Sequence, residues 1–272
     1  MKDLVSVIIP YYNNKSTIIR AIESVLSQTY NNIELILIND GSSDDSYKIV
    51  NEYIEKNDIP INITNISQEN LGPSIARNKG ILLAKGIYVA FLDADDTWEN
   101  NKLEVQMNIL MDNREIDMLG CNLYIDIEGT EEKIKKYFIK EKLRKINFYE
   151  MLYKHFFATP CVIVKKDVLL SVGMFNETQK FMEDSLLFTK ISRGYEAYMS
   201  NEFLVNTYKQ SFGESGLSGN INEMQKYELK NFYILYKENY KSQNKISILN
   251  YILCYTFSIL KFIRRKILVN IR

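Results

Sequence analysis

One stretch limits the chain more than any other. Residues 88–98 read YVAFLDADDTW, a short apolar run from Tyr88 to Leu92 that stops abruptly at Asp93, Asp95 and Asp96. An apolar run this short, in a chain that alternates strand-like and helix-like segments, predicts a buried central strand. In open α/β sheets ligands bind beyond the carboxyl ends of strands, so these acids fall where a ligand would sit. Three carboxylates this close repel one another unless a cation or hydrogen-bond donors offset them. Hard oxygen ligands suit Mg2+ or Mn2+, ions that favour sites shared with phosphate. The plainer alternative is a solvated acidic turn capping a helix that begins near Trp98. Asp-x-Asp alone does not choose between the two.

The preceding segments supply the alternation. Leu4 to Pro10 is β-branched and predicts a first strand, ended by Pro10. Asn13 or Asn14 can cap a helix whose apolar face is Ile18, Ala21, Ile22, Val25 and Leu26. Glu34 to Ile38 predicts a second strand that stops at Asn39-Asp40-Gly41-Ser42, with a helix starting near Ser43 or Asp44. Such a junction leaves backbone N–H groups and a carboxylate at the sheet's ligand edge. Ile61 to Ile66 predicts a third strand, and Leu71-Gly72-Pro73 turns the chain into a helix running to about Ala84. Gly72, Ala76 and Gly80 are spaced by four, so one face of that helix admits another backbone closely, while Arg77 and Lys79 project elsewhere. Parallel neighbours need crossover helices, and the helices are there. Residues 1–100 therefore read as a doubly wound α/β half.

The chain has 272 residues, enough for one large domain or a core with an appendage. Its formal net charge is zero, so no global basic field points to nucleic acid. The zero hides an asymmetry. From Lys241 onward there are seven basic residues and no acid, so residues 1–240 carry −7. Cys121, Cys161 and Cys254 form neither a metal pattern nor a disulfide framework. With Met1-Lys2-Asp3 leading straight into a strand, a cytoplasmic protein without a leader is expected.

The set IIPYYNN (8–14), LILINDGSSDDS (35–46), NLGPSIARNKGI (70–81) and YVAFLDADDTW (88–98), in this order and spacing, resembles the family 2 glycosyltransferases of the GT-A fold. The resemblance covers residues 4–100 closely and 101–220 more loosely. It implies an α/β, Rossmann-like fold: a mixed, mainly parallel sheet flanked by helices. Residues 1–100 would be the nucleotide-sugar half and 101–220 the acceptor half, with 221–272 a helical, basic appendage. By position it implies that Asp40 bonds a uracil base, Tyr12 stacks on it, and Pro10 and Arg77 belong to the same nucleotide site. It further implies that Asp93 and Asp95 contact the ribose and hold a divalent ion, Mn2+ or Mg2+, on the diphosphate, with Asp96 beside them. Such an ion bridges an acidic site to a diphosphate and stabilises it as it leaves.

Beyond residue 100 a helix (Leu103, Met107, Leu110, Met111) and a strand, Met118 to Ile125, are expected. Lys133 to Lys145 is strongly basic and reads as a solvated helix face, or alternatively a membrane- or phosphate-facing patch. His155, the single histidine, sits among aromatics with no partner in view and is expected to be structural. Pro160 to Val164 predicts a strand. Val168 to Phe175 resembles the family segment that precedes a second motif, here Phe181-Met182-Glu183-Asp184-Ser185. Acids suit a helix N-terminus as caps alone. The resemblance implies more: Asp184 is expected to take the acceptor's proton in an inverting transfer, with Glu183 orienting acceptor or base. Tyr195 to Asn206 suggests irregular strand-like pieces; the glycine-rich stretch 205–218 resembles the family segment that closes over the donor, with any metal or phosphate contact supplied by Lys209 or the Ser/Gly loop.

Residues 222–240 predict a helix. Residues 246–263 predict another, about 27 Å long, slightly short of a bilayer core of roughly 30 Å. Its polar residues, Ser247, Asn250, Cys254, Ser258, Lys261 and Arg265, form one stripe. Such a helix lies in a membrane interface, packs on protein or a dimer mate, or spans. With the basic flank, the expectation is a peripheral enzyme on the anionic inner face of the cell membrane. It would move a sugar, most simply from a UDP-sugar, onto a saccharide or lipid-linked saccharide in bacterial surface-glycan synthesis. The alternatives are a non-catalytic nucleotide-sugar-binding protein and a nucleotidyltransferase. The latter usually carries a Gly-rich loop where this chain has YYNNKS.

Overall fold

The computed structural model describes residues 2–127, 133–209, 220–241 and 244–270. The first hundred residues fold as β1 (Val5–Tyr11), α1 (Ile18–Leu26), β2 (Ile33–Asp40), α2 (Ser46–Lys56), β3 (Asn62–Gln68), α3 (Pro73–Leu83), β4 (Tyr88–Phe91) and β5 (Thr97–Trp98). Then come α4 (Lys102–Asp112), β6 (Met118–Ile127), β7 (Lys133–Lys136), β8 (Leu143–Lys145) and α5 (Phe148–Met151). The chain continues through β9 (Ile163–Lys165), α6 (Lys166–Ser171), α7 (Glu183–Gly194), β10 (Ala197–Lys209), α8 (Ile221–Lys237) and α9 (Ile248–Asn270). The strands form one mixed sheet in the order β3-β2-β1-β4-β9-β6-β10-β5. The β3-β2-β1-β4 half is parallel, β9 runs antiparallel between β4 and β6, and β6 and β10 are parallel. The expected mixed, mainly parallel sheet flanked by helices is thus present.

Burial explains the apolar runs. Every residue of β2 and β4 is buried, because helices cover both faces of these central strands. The outer strand β3 shows no such run. On α1, Ile18, Ala21, Ile22 and Val25 are buried, the face its periodicity predicts. Gly80 lets α3 press on β1: a Cβ there would lie 2.5 Å from Ile8 Cγ2. Gly72, at the head of α3, has φ of 94°, a conformation side chains oppose.

Several local expectations are corrected. β1 passes through Pro10 to Tyr11: its pairing with β2 continues through the proline, while its pairing with β4 ends at Ile8. Asn13 and Asn14 do not cap α1, whose N-cap is Thr17. Asn13 instead adopts φ of 56°, and its Oδ1 accepts from Ser43 N at 2.8 Å and Asp44 N at 3.3 Å, tying the two loops together. No helix starts near Trp98. Thr97 and Trp98 pair with β10, and α4 begins four residues later at Lys102. The basic run is not a helix face but contains two edge strands, β7 on β6 and β8 on β10. Thr159–Cys161 is a 3₁₀ turn, so the strand there starts at Ile163. The pieces expected at 195–206 join into one 13-residue strand with register shifts near Phe203.

A second, smaller core cluster seats α8 and α9 against α5 and α7. It contains Phe148, Leu152, Leu186, Phe232, Leu235, Ile246 and Cys254. Among the described residues no helix is long and apolar enough to cross a membrane.

Candidate active site

The carboxyl ends of β1, β2 and β4 share one edge of the sheet, and the predicted residues gather there. Asp40 closes β2 and is buried. Its Oδ1 accepts from Gln68 Nε2 at 2.8 Å and Leu71 N at 3.0 Å, and its Oδ2 from Gly72 N at 2.8 Å. An ionised carboxylate has about four acceptor positions, so three donors leave room for one more on Oδ2. Tyr12 is 45% exposed just past the end of β1, a ring open to a planar ligand. Pro10 is half-buried within the same strand.

The Asp-x-Asp turn follows β4. Asp93 is partly exposed, Asp95 exposed and Asp96 buried. Arg20 on α1 braces the turn. Its Nη2 donates to the Asp95 carbonyl at 2.8 Å, and its guanidinium lies 3.6 Å from the Tyr208 ring centroid. Tyr208 in turn donates its backbone N–H to Asp96 Oδ1 at 3.3 Å.

Arg77 joins this turn to the second acidic motif, 106 residues further along the chain. Its Nη2 donates to Asp93 Oδ1 at 2.8 Å and its Nη1 to Glu183 Oε1 at 3.0 Å. The guanidinium is buried over the Phe175 ring, 5.3 Å from its centroid, and its Nε–H has no partner among the described residues. Burial pushes the Glu183 carboxyl up, and the neighbouring Asp184 charge pushes the same way; Arg77 opposes both.

Glu183 and Asp184 occupy the first turn of α7, where the helix dipole favours negative charge. The turn before them is strained, with Met182 at φ of 57°. It is held by α8: Asn231 Nδ2 donates to the Met182 carbonyl at 2.9 Å, and Gln179 Nε2 donates to Asn231 Oδ1 at 2.6 Å. Glu183 is buried and engaged by Arg77, whereas Asp184 is half-buried. Asp184 Oδ1 accepts from Ser185 N at 2.7 Å, and Oδ2 lies 3.4 Å from the Thr159 hydroxyl.

His155 has partners that lie far from it in sequence. Its Nδ1 is 2.8 Å from Ser185 Oγ, and its Nε2 is 3.4 Å from Glu228 Oε1 on α8. Lys261 on α9 donates to the same Glu228 oxygen at 3.0 Å. The histidine therefore links the appended helices to α7. Lys209 closes β10, but its side chain lies outside the described residues, as do residues 210–218 of the expected lid.

Sequence reasoning missed Arg20, Asn78 and Tyr208. Asn78 Nδ2 donates to the Phe175 carbonyl, and its Oδ1 accepts from Phe175 N, each at 2.9 Å, pinning the segment that leads to Glu183. The one available signal was a polar residue in a helix turn facing the ligand edge. Nothing local distinguishes such a residue from a solvated one.

Among the described residues no group of three or more Asp, Glu, His or Cys could hold a metal by itself. A pair of carboxylates still fits an ion that takes its other ligands from diphosphate and water, as Mg2+ commonly does.

An α/β sheet whose ligand edge carries two acidic motifs joined by one arginine points to a class of enzyme. The sequence profile of Glycosyl transferase family 2 matches residues 6–173, and the chain belongs to that family. An uncharacterised glycosyltransferase of Haemophilus influenzae is 37% identical over 164 residues, covering 60% of this chain and 63% of its own length. The Escherichia coli UDP-Glc:alpha-D-GlcNAc-diphosphoundecaprenol beta-1,3-glucosyltransferase WfaP is 35% identical over 207 residues, 76% of each chain. Among solved structures, S. aureus TarS in complex with UDP-GlcNAc aligns with a TM-score of 0.71 at 20% identity, over 89% of this chain and 68% of that one. The mannosyltransferase PcManGT from Pyrobaculum calidifontis, solved with GDP-Man and Mn2+, aligns with a TM-score of 0.64 at 20% identity, over 86% of this chain and 64% of that one. Both structural likenesses speak for the GT-A fold.

Proposed function

We propose that this chain transfers a sugar from a nucleotide sugar, with UDP as carrier, to a lipid-linked saccharide during bacterial surface-glycan synthesis, inverting the anomeric centre. The observation that carries the reading is Arg77, which holds Asp93 of the donor motif and Glu183 of the acceptor motif on one guanidinium. WfaP, by its name, uses UDP-Glc and a diphosphoundecaprenol acceptor, which supports both the carrier and the lipid.

Tyr12 would stack on the base and the open Oδ2 position of Asp40 would accept from it. Asp93 and Asp95 would hold a divalent ion, Mn2+ or Mg2+, which when bound neutralises the diphosphate as it leaves. Asp184 is the base. As the acceptor oxygen bonds to the anomeric carbon, its proton passes to a carboxylate oxygen of Asp184, and the carbon–oxygen bond to the diphosphate breaks. Glu183 sits too deep for that contact and orients Arg77 instead. Residues 1–220 would be the catalytic unit and 221–272 the appendage that keeps it at the inner membrane face.

The test is thermal unfolding with UDP-, GDP- and dTDP-sugars, with and without Mn2+. A donor at 100 times its Kd stabilises the native state by about 2.7 kcal/mol. A Tm rise with one UDP-sugar that needs Mn2+ is expected. No rise with any donor, on folded protein, refutes the donor site.

A further inference from the structure

α9 is amphipathic in the reverse of the usual sense. The middle of its polar stripe is the buried side, while Ser247 and Arg265 at its ends are exposed. Cys254 and Ser258 are fully covered, with Ser258 Oγ donating to Glu228 Oε2 at 2.8 Å and accepting from Gln225 Nε2 at 2.9 Å. Lys261 on the same stripe also donates to the Tyr153 carbonyl at 3.3 Å. The apolar side faces outward: Leu249, Leu253, Phe257, Leu260, Ile263 and Ile267 are each 43–64% exposed. Together with Ile248 and Ile252 they run along about 30 Å of helix at a rise of 1.5 Å per residue. Two polar residues fall within this face: Arg264, between Leu253 and Phe257 around the helix, and Thr256, whose hydroxyl is satisfied internally by the carbonyls of Ile252 at 2.9 Å and Leu253 at 3.0 Å. Isolated exposed apolar residues need no account, but a continuous strip this long marks a binding surface.

The charges say what covers it. Residues 244–270 contain no acid. At about 100° per residue, Lys266 falls at one margin of the apolar face and Arg264 about 20° inside the other, and both are exposed. Long basic side chains in those positions lay their stems on an apolar surface and hold their charges at an anionic one. A second copy of the helix would bring no counter-charge to them.

We infer that the outward face of α9 docks in the plane of an anionic lipid bilayer, with its apolar strip among the acyl chains and Arg264 and Lys266 at the headgroups. This deepens the peripheral attachment proposed above and rests on that reading only for the acceptor. The buried stripe fixes the docked geometry. Lys261 holds Glu228, Glu228 faces His155, and His155 meets Ser185 beside Asp184. The membrane plane is thereby set relative to the first turn of α7.

The test is flotation of the full chain with vesicles of phosphatidylcholine alone or with 30% phosphatidylglycerol, at fixed salt. Binding to the anionic vesicles and little to the neutral ones is expected. The triple variant L249S/L253S/L260S should lose at least tenfold in partitioning. R264Q/K266Q should lose about fivefold for each charge, while an unchanged melting temperature shows each variant folded. Equal flotation of the triple variant overturns the docking face. So does a wild-type dimer in size-exclusion chromatography with light scattering that the triple variant converts to monomer, because a second copy would then be the occupant. The donor-dependent Tm rise, measured without vesicles, reports on the sugar-nucleotide site separately.

Discussion

Arg77→Met removes the charge that joins the two acidic motifs while keeping most of the side-chain volume. The arginine side chain is 8% exposed, Glu183 10% and Asp93 31%. Taking one partner from a buried pair typically costs about 3–5 kcal/mol, because the other charge stays behind unpaired. Asp93 reaches water, so its share is close to that of a surface pair, about 1 kcal/mol or less. Most of the loss therefore falls on Glu183, and it depends on pH. Burial already pushes the Glu183 carboxyl above its ordinary value of 4.5, and the variant loses the arginine that restrains it. A carboxyl raised in the folded state binds a proton that the unfolded chain has released, so stability falls as pH rises from about 4.5 through the folded value. In Arg77→Met that window extends further upward. Urea unfolding at pH 5 and pH 8 measures it. The variant's deficit should be larger at pH 8, by about 1.4 kcal/mol for each pH unit the window lengthens. An equal deficit at both values, with unchanged m, would mean that Glu183 does not depend on the arginine charge.

Four further outcomes are expected. Asp184→Asn should lower kcat by about 10²–10⁴ yet keep the donor-induced Tm rise; full activity would remove it as the base. Burial raises the Glu228 carboxyl, but bonds and charges from His155, Lys261 and Ser258 outweigh that and hold it at about 2. Its contribution, about 3 kcal/mol, is present above pH 4.5 and lost as pH falls toward 2, so the Glu228→Gln deficit in urea unfolding should shrink with acidification. Gly80→Ala drives a methyl into Ile8 and should cost about 1–3 kcal/mol, read as a lower urea midpoint. Asp40→Ala leaves the Leu71 and Gly72 N–H groups without their acceptor and should cost about 1–3 kcal/mol, with the donor-induced Tm rise lost as well.

Much of the catalytic half was legible because its signals are local. A strand buried on both faces carries a mostly apolar run, so Leu35–Ile38 of β2 and all of β4 announce themselves, and the residues that stop them fall at the ligand edge by topology alone. Helical periodicity placed the buried face of α1; of the residues spaced by four on α3, Gly80 is tightly approached, by the Ile8 side chain and not by a backbone, and nothing comes close to Gly72. The basic run misled because β7 and β8 are short edge strands, identified by the strands they pair with and not by any pattern of their own.

The sequence by itself determined the alternating α/β half, the two acidic motifs and the polar stripe of α9. The α/β half and the stripe rest on a period or run within about twenty residues, and the second acidic motif on its resemblance to the family pattern. Only the tertiary structure decided that Arg77 spans both motifs, that His155 faces Ser185 and Glu228, and that the middle of the polar stripe of α9 points inward. Those outcomes depend on pairs 30 to 106 residues apart in the chain, where a side chain's role is set by the partner that burial brings to it.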